Sequence, residues 1–94
     1  MKITGVIWLR EVVDKLWWKH HILADEVEEV FDNEPHFKLQ ERGHVAGEDL
    51  YTAYGCTDAG RYLVAFFIHK RSGEALIVSA RDMDRKERRR YGNT

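Results

Sequence analysis

The sequence predicts an α+β fold: an antiparallel sheet, made of a meander of about four strands plus a short N-terminal strand, packed by two N-terminal helices and one basic C-terminal helix. Three observations carry this. Residues 10–33 place apolar side chains at helical spacing. Residues 36–81 switch to apolar runs broken by tight turns. Residues 84–91 return to a charged, strongly helical composition. Helices flanking one antiparallel sheet make an α+β sandwich. The 94 residues are read as one domain, 1–94, and a 44% hydrophobic content supplies a core that argues against disorder.

Taken in order, Ile3 to Leu9 reads as a short strand weakened by Gly5. Residues 10–20 set Val12, Leu16 and Trp17 toward one side of a helix, and His21 stands where a glycine often makes the turn. A second helix over 24–33 carries the stripe Leu23, Val27, Val30 and Phe31, with Asp25 and Glu28 resembling a capping box and Asn33-Glu34-Pro35 as its stop. Strands follow at 36–45, 49–56, 61–70 and 74–81. The breaks Ala46-Gly47-Glu48, Thr57-Asp58-Ala59-Gly60 and Arg71-Ser72-Gly73 are short enough for hairpins, so these strands are antiparallel neighbours. Leu63 to Ile68 is almost continuously apolar, as a strand covered on both faces should be. Asp84 and Glu87 open the last helix and Gly92 ends it.

Composition narrows the function classes. A lone cysteine, Cys56, excludes an internal disulfide and suits a reducing compartment. The N-terminal apolar run is too short to span a bilayer and no small-residue cleavage site follows it, so a cytoplasmic chain without a membrane partner is expected. HExxH, CxxC, Walker and GxSxG patterns are absent, and no metal or cofactor is expected. The net charge of −1 hides a strong asymmetry. Residues 23–34 hold Asp25, Glu26, Glu28, Glu29, Asp32 and Glu34 with no lysine or arginine, whereas residues 81–91 hold Arg81, Arg85, Lys86, Arg88, Arg89 and Arg90. One region attracts cations and the other anions.

The runs KHHILADEVEEVFDN (19–33), GEDLYTAYGCTDAGR (47–61) and VSARDMDRKERRRYG (78–92), in this order and spacing, resemble the BrnT-type toxins of the RelE/ParE superfamily. The resemblance runs from about Lys15 to Tyr91. It implies a RelE-like fold and a ribonuclease toxin of a type II toxin–antitoxin system, one that cuts RNA without a metal and is neutralised by a cognate DNA-binding antitoxin. The chain departs from the family pattern at Leu9, where an aspartate is usual, at His21, usually glycine, and at Leu23, often serine. The first two favour an alternative reading, a non-catalytic toxin-fold module for protein interaction. A DNA-binding regulator acting alone is weaker, because no helix-turn-helix signature is present.

Metal-free RNA cleavage needs a group to take the 2′-OH proton, charge to stabilise the phosphate, and a proton for the 5′ oxygen. Lys19 and His20 are the first candidates, His20 being the only histidine within a family motif; the alternative is a cation closing the first helix. Arg61 opens one strand and Arg81 ends its neighbour, so both are expected toward one edge of the sheet, where two guanidiniums clamp a phosphate; the alternative is strand-end ion pairs with Asp58, Asp82 or Glu87. Arg85, Lys86, Arg88 and Arg89 make the last helix basic around most of its circumference, and are expected to bind RNA. Tyr91 either joins them by stacking on a base or anchors the helix end to the core. Trp17 and Trp18 diverge by about 100° on a helix, so one is expected to be exposed. With Glu28 and Glu29 of the acidic helix they form the expected partner surface, in a toxin–antitoxin hetero-oligomer or a homodimer.

Overall fold

A computed structural model describes residues 1–92. The elements are β1 (Val6–Ile7), α1 (Arg10–His20), α2 (Ala24–Asp32), β2 (His36–Glu41), β3 (Asp49–Cys56), β4 (Tyr62–His69), β5 (Ala75–Asp82) and α3 (Arg85–Tyr91). The order of strand, two helices, four strands and helix is the expected one. The sheet order is β1-β5-β4-β3-β2, with β2 to β5 an antiparallel meander. The N-terminal strand is shorter than Ile3 to Leu9 and pairs in parallel with β5, only through Val6 with Ala75 and Ile7 with Leu76. The sheet is therefore mixed, and among the described residues β5 beyond Leu76 has no strand on its outer side.

Turn chemistry holds the meander in register. Gly60 takes φ of 93° in the turn between β3 and β4, a conformation that costs other residues strain, and its N–H donates to the Thr57 carbonyl at 2.9 Å. The buried Thr57 hydroxyl accepts from the Arg61 N–H at 3.0 Å, so the turn satisfies its own polar groups. β4 lies between β3 and β5, which explains its unbroken apolar run. Leu63, Ala65 and Phe67 face α1 and α2, in a core with Leu16, Ile22, Val27, Val30 and Ile77. Val64 faces the other way, in a smaller cluster with Tyr54 and Met83 against which Tyr62, Phe66 and Tyr91 pack. Gly55 lets α2 approach: a Cβ there would lie 2.9 Å from Val30 Cγ1.

Both N-terminal helices lack a side-chain cap. Leu9 and Leu23 stand at the N-cap positions with extended backbone, and neither has an acceptor to offer. In α2 only the return half of a capping box forms, with Glu26 Oε1 accepting from the Leu23 N–H at 3.0 Å; the expected Asp25–Glu28 box is displaced by two residues toward the N-terminus. At α3 the box is complete, Asp84 accepting from the Glu87 N–H at 2.8 Å and Glu87 from the Asp84 N–H at 2.9 Å.

Candidate functional site

The C-terminus of α1 is built on His21. It adopts φ 53° and ψ 39°, the left-handed conformation that the missing glycine would take. Its N–H donates to the Trp17 carbonyl at 2.9 Å, and the next N–H, of the fully buried Ile22, reaches the Leu16 carbonyl at 3.2 Å. The His21 ring meets Trp17 edge-on at 5.1 Å. The chain thus turns sharply after His20 and holds the Lys19-His20 pair at the end of the helix.

Arg61 fixes that end to the sheet. Its Nε and Nη2 donate to the two Asp82 oxygens at 2.8 and 3.0 Å. Nη1 donates to the His21 carbonyl at 2.9 Å and to Glu26 Oε1 at 3.3 Å, and Nη2 reaches the His20 carbonyl at 3.1 Å. All five guanidinium N–H groups therefore have acceptors. The hydrogen bond to Asp82 raises the Arg61 pKa above its ordinary value, and the same bond holds Asp82 below the usual carboxylate range, with His20 adding attraction. Arg61 closes the helix carbonyls and joins α1, α2 and β5 in one clasp.

Beside this clasp lies a cleft of about 180 Å³ between α1 and β5, lined by Val12, Lys15, Leu16, Lys19, His20, Val78 and Ser79. Lys15 and Lys19 are one helical turn apart and exposed, with no carboxylate partner among the described residues. His20 is half-buried at its rim. Lys15 was not singled out in the sequence. The signal was its position four residues before Lys19, one turn away on the helix expected over 10–20.

Arg81 is not part of this cleft. Leu63 pairs with Asp82 and Val64 with Arg81, so Asp82 shares the α1/α2 face with Arg61 while Arg81 points to the face that carries α3. A bulge at Val78 causes this. Phe67 pairs with Ile77 but Phe66 with Ser79, and Ile77 and Ala80 both enter the α1/α2 core, which strict alternation forbids. Without the bulge, Arg81 would share the face of Ile77. The expected two-arginine clamp therefore does not form; each arginine makes a strand-end ion pair instead. Arg81 donates to both Glu87 oxygens at 2.6 and 2.9 Å and lies 5.6 Å from the Phe66 ring. The bond to Glu87 raises the Arg81 pKa and lowers that of Glu87.

On the α3 face an open cleft of about 480 Å³ is lined by Tyr62, Met83, Arg85, Arg88, Arg89 and Gly92. The Arg88 guanidinium carbon lies 4.6 Å from the Tyr62 ring centroid. Lys86 and Arg90 project elsewhere, exposed, Arg90 being 5.5 Å from the Tyr91 ring. Tyr91 itself stacks on Tyr54 at 4.0 Å and 10°, the anchoring arrangement. Tyr62, unlike Tyr91, sits in the cleft; its strand position gave no sign of this.

Trp17 and Trp18 are 52% and 79% exposed, so both, and not one, face outward. Glu28 accepts from the Trp8 indole N–H at 3.2 Å and Glu29 from the Asp58 N–H at 3.0 Å, so each glutamate of the expected partner surface already ties α2 to a neighbouring segment. Among the described residues no group of three or more His, Cys, Asp or Glu is placed to hold a metal ion, and no helix is long and apolar enough to cross a membrane.

A family model described as ribonuclease toxin, BrnT, of type II toxin–antitoxin system matches residues 8–87. That stretch contains α1, the Arg61 clasp, the whole meander and the start of α3. No curated protein matches the chain.

Proposed function

The chain belongs to the BrnT family of ribonuclease toxins of type II toxin–antitoxin systems, and on that premise we propose that it cuts RNA at the cleft between α1 and β5 without a metal. The observation that carries this is the gathering of Lys15, Lys19 and His20 in one cleft with no carboxylate partner for either lysine among the described residues. In this reading His20 takes the 2′-OH proton, the 2′ oxygen attacks phosphorus, and the bond to the 5′ oxygen breaks. Lys19 and Lys15 face the scissile phosphate; a lysine ammonium protonates the leaving oxygen and is reprotonated from solvent. Arg61 is a positioning residue here, since its donors are spent on Asp82, Glu26 and the carbonyls of His20 and His21. Arg81 positions α3 through Glu87, and the exposed arginines of α3 supply sequence-independent attraction for the RNA backbone.

Family membership implies an antitoxin partner. We assign its neutralising contact to the surface bearing Trp17 and Trp18, which adjoins the cleft through α1, and place the action in the cytoplasm. The RelE/ParE grouping belongs to the same reading, supported by a meander carrying helices on one face and a basic helix on the other.

Incubation of the purified chain with single-stranded RNA in excess chelator tests the activity. His20→Ala is expected to slow cleavage about 10²–10⁴-fold, and Lys19→Ala less. Equal cleavage by wild type and His20→Ala removes His20 from the reaction. The second reading, a non-catalytic module, is favoured by the ion pairs that Arg61 makes with Asp82 and Glu26 and Arg81 makes with Glu87. It predicts no cleavage and no growth arrest on expression of soluble wild-type chain.

A further inference from the structure

The α3 face holds a second cleft, and we propose that its Tyr62–Arg88 pair is a preformed stacking seat for one unpaired nucleotide of the RNA, with Arg85 and Arg89 on the flanking phosphates; this rests on the ribonuclease reading for the identity of the ligand. Long charged side chains on short exposed helices are ordinarily free to sample many rotamers. Arg88 is held instead, its guanidinium carbon 4.6 Å from the centroid of Tyr62. A guanidinium laid on a ring keeps its second face open, and bases stack on arginine planes as well as on aromatic rings.

Among the described residues no ion pair engages the arginines of the seat. The nearby acids are occupied: Asp82 binds Arg61, Glu87 binds Arg81, and Asp84 accepts the Glu87 N–H as the cap of α3. Arg85 and Arg89, one helical turn apart, have no carboxylate partner among the described residues. The apolar part of the lining comes from Tyr62 and from Met83, which is 7% exposed. A volume of about 480 Å³ falls within the roughly 300–1,000 Å³ usual for small-ligand sites. A smaller cleft of about 190 Å³ shares Tyr62, Met83 and Arg88 and extends to Arg61 and Asp82. Arg61 in turn holds the His20 carbonyl. The smaller cleft thus connects the seat to Arg61, which holds the residue at the rim of the proposed cutting site, the placing a subsite for a neighbouring nucleotide needs.

The probe is a short 2′-O-methyl RNA, which cannot be cut through its 2′ position, carrying a single 2-aminopurine moved stepwise along the strand. Wild type is expected to quench the fluorophore at a preferred position. Arg88→Lys keeps the charge and loses the stacking plane; it is expected to abolish that quench and weaken binding about tenfold. Arg85→Ala and Arg89→Ala should each lower the slope of log K against log salt by about 0.7 and leave the quench in place. Tyr62→Leu, with its fold checked by circular dichroism, should lose the quench. Wild-type binding and quench in Arg88→Lys overturn the seat, as does a quench indifferent to Tyr62→Leu. Cleavage of ordinary RNA separates the two proposals. A chain that quenches but never cuts keeps the seat and loses the ribonuclease reading, whereas wild-type KM for cutting in Arg88→Lys loses the seat alone.

Discussion

The two faces of the sheet are covered unequally. One carries α1 and α2 over a core that includes Leu16, Ile22, Val27, Val30, Leu63, Phe67 and Ile77. The other carries only the seven-residue α3, which has no buried residue and rests on Tyr54, Val64 and Met83 through Tyr91. Stability is concentrated on the thick face. The thin face, with little to bury, leaves its helix free to be almost wholly basic. Each face has a strand-end arginine, and the two act alike locally: Arg61 ties the thick layer to β5 and Arg81 ties α3 to the same strand.

The comparison would be broken most directly through the core. Phe67 is fully buried among Phe31, Phe37 and Tyr51, with ring centroids 5.2 to 5.8 Å away. Phe67→Ala is expected to cost about 3–5 kcal/mol, read by urea denaturation. An equal cost for Tyr91→Ala on the thin face would refute the unequal division. A step smaller, Arg61→Ala should cost about 1–3 kcal/mol, because two helix carbonyls and two carboxylates lose their donor. Arg81→Ala should cost about 1 kcal/mol or less, its side chain being 38% exposed. Thermal melts of the pair rank the two clasps.

His21→Gly should raise stability by up to about 1 kcal/mol, since the left-handed turn is retained without a Cβ. A loss would mean that the ring contact with Trp17 outweighs the strain. Acid sharpens the comparison further. Asp82 and Glu87 both have depressed pKa values in the folded chain. Their contribution is present above the unfolded carboxylate range, about 4, and is lost as pH falls through the lower folded values. Melting temperature should fall on acidification below that range, and less steeply in Arg61→Ala and Arg81→Ala than in wild type. Least of all, Arg85→Ala or Arg89→Ala should change stability by no more than about 0.5 kcal/mol while weakening RNA binding.

Much of the fold was legible because its signals are local. The turns at 57–60 and 71–73 bounded β4 and β5, although β2 ends at Glu41 rather than at residue 45; the Asp84 and Glu87 spacing placed α3, and the unbroken run from Leu63 to Ile68 marked the central strand. The parallel pairing of β1 was not legible, since it joins residues about seventy positions apart with only two pairs. Nor were the faces of Arg61 and Arg81. Register decides which side of a sheet a residue takes, and one extra residue at Val78 reverses every side chain after it. Of the candidate site, Lys19 and His20 were visible through motif resemblance. Tyr62 was not, because a tyrosine in a strand carries no signal until the surface it joins is known; Lys15 went unremarked although the expected helix set it one turn before Lys19.

The place of β1 and α1 against β5 also sets a schedule for synthesis. The residues that face Lys15, Lys19 and His20 across the cleft, Val78 and Ser79, are made nearly sixty positions after His20. At roughly 5–20 residues per second, a ribosome takes about 3–12 s to cover that gap. During that interval the first half of the chain has no β5 to dock on, and the cleft has only one wall. The cleft between α1 and β5 is therefore completed only near the end of synthesis, by the residues of β5 that form its second wall.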